Sequence, residues 1–151
     1  IRYNRNIIRY PTVRRPLSIS GKFDTGVSLL RLFPGIRQET VHAILGTSGV
    51  RGIILETYGT GNAPRNEWFL DELKSFISGG GIVLNVTQCQ AGSVEMGLYE
   101  TSAGLISAGV ISGGDITTEA ALTKMMILLG TGLPADKVSS LLARPLCGEM
   151  S

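Results

Sequence analysis

Twice in this chain an apolar run stops abruptly in a polar, glycine-rich loop, and that pattern limits the fold more than any other feature. Val50 to Leu55, broken only by Arg51 and Gly52, leads into Glu56-Thr57-Tyr58-Gly59-Thr60-Gly61-Asn62-Ala63-Pro64, and a helix is expected from about Asn66. Gly81 to Val86 leads into Thr87-Gln88-Cys89-Gln90-Ala91-Gly92-Ser93. Short apolar runs of this kind read as parallel strands buried on both faces. In open α/β sheets the loops leaving the carboxyl ends of such strands carry the binding groups. Neighbouring strands would therefore set the two polar loops side by side on one edge of the domain.

The remaining sequence supplies the matching layers. Val27 to Leu32 reads as a first strand closed by Pro34-Gly35, followed by a short helix from about Arg37 to Gly46. Phe69, Leu70, Leu73, Phe76 and Ile77 recur at helical spacing between Asn66, a candidate cap, and the Gly79-Gly80-Gly81 stop. These glycines follow a helix and precede a strand, the reverse of the order a phosphate-binding loop requires. A small helix over 99–108, a strand near 110–112 and a long helix from Asp115 to Leu129 come next. Asp115 or Thr117 is expected to cap that long helix, with Ala121, Leu122, Met125, Leu128 and Leu129 inward and Lys124 in solvent. Pro134 opens a last helix that Pro145 closes. Strands alternating with helices predict an α/β fold, a Rossmann-like three-layer sandwich around a roughly four-stranded parallel sheet.

Composition narrows the function classes. A chain of 151 residues, 43% hydrophobic and 17% charged, makes one globular domain. No apolar run approaches the ~18 residues of a membrane-crossing helix. Cys89 and Cys147 are too few for a disulfide framework, and the lone His42 shares no metal-binding pattern with a second histidine. Six basic residues and no carboxylate fall within the first 22 positions, but Pro11, Pro16 and the scarcity of aromatics favour a linker over a nucleic-acid surface. Residues 1–25 read as that linker and 26–151 as the folded domain.

Taken together and in order, YGTGNAPRN, LNVTQCQAGSVEMGLYETS, GVISGGDITTEAALTKM and the closing L-x-GE resemble the C-terminal domain of the bacterial cytoplasmic-type (type I) L-asparaginases. The resemblance runs from about Ser28 to Gly148. It implies that the first 25 residues are the tail of a missing N-terminal catalytic domain, and that the full-length protein is a cytoplasmic amidohydrolase converting L-asparagine to L-aspartate and ammonia. It also implies a homodimer or homotetramer, no cofactor or metal, and no nucleic-acid or membrane partner. A related subunit of tRNA-dependent amidotransferases and a non-catalytic amino-acid-binding module are the alternatives.

The family's chemistry uses a threonine nucleophile in a Thr-Gly-Gly-Thr loop and a Thr-Asp pair with a lysine, all from the N-terminal domain. No Thr-Gly-Gly-Thr occurs in these 151 residues, so the chain alone is expected to be inactive. Its implied role is to complete a partner subunit's active site through Asn62, whose neutral amide both donates and accepts. Asn62 as a simple turn residue is the competing reading. Some family members also bind asparagine at an effector site, which by resemblance would involve Glu56, Thr87 and Cys89. Where allosteric enterobacterial members carry an arginine, this chain has Glu56. A carboxylate would be repelled there, so a hyperbolic dependence on asparagine is expected.

Overall fold

The computed structural model describes residues 16, 19, 21–89, 92–97 and 100–151, with the side chains of residues 100 and 101 left aside. Most of the expected linker, and the loop residues Gln90 and Ala91, lie outside the described residues. Four strands, β1 (Val27–Arg31), β2 (Gly52–Thr57), β3 (Ile82–Thr87) and β4 (Ile111–Ser112), form one parallel sheet in the order β1-β2-β3-β4. The helices are α1 (Gln38–Leu45), α2 (Glu67–Ser78), α3 (Glu100–Ser107), α4 (Thr118–Gly130) and α5 (Ala135–Leu142).

A sheet laid down in sequential order places its crossover helices on one face. Val41, Leu45, Phe69, Leu73 and Leu105 of α1–α3 pack there against Leu30, Ile53, Leu55 and Val83. The opposite face is left to the helices that follow the last strand. Ala121, Met125, Leu128 and Leu129 of α4, with Val138 and Leu142 of α5, cover Ile54, Ile82, Leu84 and Val86. The three-layer α/β/α sandwich expected from the sequence is therefore the fold. Single-residue alternation along β2 distributes Ile53 and Leu55 to one core, Ile54 to the other.

Boundaries and caps differ from expectation in informative ways. Strands β2 and β3 run on through Thr57 and Thr87, past the end of each apolar run, because Glu56, Thr57 and Asn85 are buried polar members of the ladder. Thr117 caps α4 by accepting from Ala120 N at 3.3 Å, whereas Asn66 precedes α2 without a side-chain cap bond. Gly80, with φ of +94°, makes the left-handed turn out of α2, while Gly79 stays right-handed.

Lys124 overturns the reading of it as a solvated helix residue. It is 6% exposed, and its ammonium donates to Leu142 O at 3.0 Å and Arg144 O at 2.7 Å and meets Glu149 Oε1 at 2.7 Å. Glu149 in turn accepts from the backbone N–H groups of Leu146 and Cys147. Burial alone would raise its carboxyl, but Lys124 and these amides hold it well below the usual carboxylate range. Residues 143–150 are thus strapped across α4 by one buried ion pair. The Cys147 thiol donates to Glu149 Oε2 at 3.3 Å, and that carboxylate pushes the thiol up.

Candidate functional site

The carboxyl ends of β2 and β3 carry two distinct features. The first is the loop holding Asn62. Tyr58 N donates to Asn62 O at 2.9 Å, and Asn62 N and Gly61 N both donate to Tyr58 O, at 2.8 and 3.0 Å, closing a tight antiparallel bridge. Gly61, with φ of +108°, supplies the left-handed backbone this closure needs. The outer carbonyls are tied down from β3 and its exit: Thr87 Oγ1 donates to Gly59 O at 2.5 Å, and Glu95 N to Thr60 O at 3.0 Å. Asn62 is left half-buried at the end of a loop closed by these hydrogen bonds. Tyr58 beside it is also half-buried, and desolvation raises its phenol.

The second feature is a cavity of about 550 Å³ between the strand ends and the start of α4. Glu56, Thr87 and Cys89, the three effector candidates, all line it; Asn62 does not. Glu56 reaches it because alternation along β2 turns Glu56 toward the α4 face. Its Oε1 accepts from Thr118 Oγ1 at 2.6 Å, while its Oε2 is buried and accepts no hydrogen bond among the described residues. Arg31, absent from the sequence-level list, also lines the cavity. It pairs in register with Glu56 across β1 and β2, and its Nη1 lies 3.5 Å from Glu56 Oε2. The cavity therefore offers one guanidinium, Arg31, and three carboxylates, Glu56, Asp115 and Glu119, the last two beside the N-terminal end of a 13-residue helix whose dipole favours anions. The signal that finds Arg31 is register: it occupies on β1 the place that Glu56 occupies on β2.

Thr87 connects the two features. Its hydroxyl lies in the cavity wall, donates to the Asn62 loop at Gly59 O and accepts from Cys89 N at 3.0 Å. Gln88 braces the same edge by donating to Leu32 O at 2.7 Å and Glu56 O at 2.9 Å. Among the described residues no cluster of histidine, cysteine and carboxylate side chains has a metal-binding arrangement, and no helix is long and apolar enough to cross a membrane.

This is an α/β sandwich domain that presents strand-end loops on one edge, with a cavity lined by both charged and apolar side chains. The chain belongs to the glutaminase/asparaginase C-terminal domain family, whose pattern matches residues 26–142. It is 40% identical to L-asparaginase 1 of Escherichia coli over 125 residues, 83% of this chain and 37% of that protein. It is 38% identical to the human 60 kDa lysophospholipase, across 100% of this chain and 26% of that one. A glutamyl-tRNA(Gln) amidotransferase subunit of Sulfurisphaera tokodaii is 36% identical over 89% of this chain and 29% of its own. The crystal structure of L-asparaginase I from Vibrio cholerae superposes with a TM-score of 0.80 at 42% identity, covering 84% of this chain and 38% of that one. The chain thus spans under two-fifths of the length of each of these relatives.

Proposed function

We propose that this chain is the C-terminal domain of an L-asparaginase that hydrolyses L-asparagine to L-aspartate and ammonia, with its nucleophile on a part of the protein outside these residues. The observation that carries the reading is the 40% identity to L-asparaginase 1 over 83% of this chain. Asn62 is the substrate-facing residue, presented by its loop to the active site of a second copy in a homodimer or homotetramer. A neutral amide there can bind the amide or carboxylate end of asparagine without adding charge. Two exposed free thiols, Cys89 and Cys147, accord with a reducing, cytoplasmic compartment.

Ammonia release from L-asparagine by the longer protein carrying this domain tests the reading, with ammonia release from L-glutamine and fatty-acid release from a lysophospholipid as the competing activities. Release from either competitor and none from asparagine would sink it. The 151 residues alone are expected to release none. Asn62→Ala in the longer protein should lower kcat/KM about 5- to 150-fold, the loss of one or two hydrogen bonds worth ~1–3 kcal/mol, with the melting temperature unchanged. An undiminished kcat/KM would make Asn62 a turn residue only.

A second reading concerns the cavity, because Glu56, Thr87 and Cys89 share it with Arg31. We propose that it takes a free amino acid as effector. The carboxylate faces Arg31 and the α4 N-terminus, while the ammonium faces Glu56 Oε2. Against the hyperbolic response expected from Glu56 alone, Arg31 supplies the cation that position 56 lacks, although its 63% exposed side chain makes it a weak one. Calorimetry with L-asparagine on the wild type and on Arg31→Ala checks this. Binding of equal strength in both would overturn it.

A further inference from the structure

Asn85 lies in the middle of β3, completely buried, within the otherwise apolar run Ile82–Val86. Its Oδ1 accepts from Thr57 Oγ1 at 2.7 Å, and Thr57 is itself completely buried at the end of β2. Its Nδ2 is buried and has no hydrogen-bond partner among the described residues. An amide left half-satisfied in a core is costly, and an apolar side chain of the same shape can be neutral or stabilising there. Packing therefore does not account for this residue.

Its neighbours do. The amide lies beneath Gly61, so close that a methyl group on Gly61 would come 3.3 Å from Nδ2 and 2.9 Å from Val94 Cγ1. Only a bare glycine lets the loop backbone settle on these two side chains. Val94 is fixed from below: its N–H donates to Gly114 O at 2.8 Å, and its carbonyl accepts from Ser112 Oγ at 3.1 Å. Asn85's own carbonyl holds the same β4 exit by accepting from Gly113 N at 2.8 Å. Thr57 sets the plane of the amide, and the amide and Val94 form a shelf on which the residue before Asn62 rests.

We infer that Asn85 is a positioning residue for Asn62: held by Thr57, its side-chain amide sets the height and tilt of the Gly61–Asn62 backbone. This rests on the reading of Asn62 as a substrate-binding residue for its consequence in turnover, but for nothing in its geometry.

Hydrogen exchange on the 151-residue chain tests the inference, comparing wild type with Asn85→Leu, which keeps the branching at Cγ and removes the amide, and with Thr57→Val, which frees the amide from its donor. Protection of Gly61 N and Asn62 N should fall about tenfold or more in both variants, while Leu55 and Leu84 in the strands keep theirs. Unchanged protection at Gly61 and Asn62 in a folded variant would overturn the inference. Should Asn85→Leu fail to fold, Thr57→Val alone decides by the same readout. In the longer protein the same variants should lower kcat about tenfold with a smaller change in KM, the pattern of lost transition-state contacts. Looser loop amides with unaltered turnover would uphold Asn85 as the loop's support and remove Asn62 from substrate binding.

Discussion

Lys124 is a side chain whose loss the fold should feel strongly. Its ammonium is held by two backbone carbonyls and Glu149, and its side chain is 5% exposed. Truncating one member of a buried ion pair strands the other, at a cost of about 3–5 kcal/mol. Lys124→Ala should therefore lower stability by about that amount in urea denaturation. Glu149→Gln, which keeps an acceptor for the Leu146 and Cys147 amides, should cost less, about 1–3 kcal/mol. The pH dependence follows from the direction of the Glu149 shift. Its folded-state pKa lies below the ordinary value of 4.5, so the unfolded chain binds the proton more readily. The stabilisation is complete above that value and drains away as pH falls below it. Denaturation midpoints between pH 7 and pH 3 should show this fall, and Glu149→Gln should flatten it. A mutant curve parallel to the wild-type one would assign acid lability to other carboxylates such as Asp24 or Glu72, whose pKa values are also lowered by their hydrogen-bond partners.

Among the elements, close backbone approach sets the packing of β1 on β2. A methyl group on Gly26 would overlap the carbonyl oxygen of Gly49, and Gly26 O also accepts from Arg51 N and Gly52 N where β2 begins. Gly26→Ala should cost about 1–3 kcal/mol through displaced backbone. By contrast Gly79→Ala, at a right-handed φ of −75° with contacts no closer than 3.4 Å, should stay within about 0.5 kcal/mol. Thermal melts of the pair would compare the two, and equal losses would show that the Gly26 contact relaxes without cost. The elements themselves were legible because apolar runs and helical stripes follow directly from burial, and all four strands fall where those runs do. Their ends were less legible. Glu56 and Thr57 look like loop by composition, yet ladder pairing with Val86 and Thr87 keeps them in the strand. Lys124 looks solvated by its charge, yet it sits three residues after Ala121 and four before Leu128, on the buried stripe; there periodicity outweighs residue type.

For the whole molecule, the three-layer fold was readable because sequential strands with intervening helices leave few arrangements. The grouping of Glu56, Thr87 and Cys89 around one cavity followed from neighbouring strand ends. The place of Arg31 did not, because it depends on the pairing of strands 25 residues apart. Asn85 carried a usable sign, one polar residue amid Ile82–Val86, but its task depends on Gly61 and Val94 arriving from other segments. The strap over α4 bears on where this unit can be divided. The family match ends at residue 142, yet of the acceptors around Lys124 only Leu142 O lies inside it; Arg144 O, Glu149 and Met150 Sδ lie beyond. The N-terminal side repeats the pattern, since Asp24, ahead of the match, pairs with Arg51 and donates its N–H to Met126 O at 3.0 Å. The contacts that hold this domain together therefore run past both ends of the family match, to Asp24 on one side and Met150 on the other.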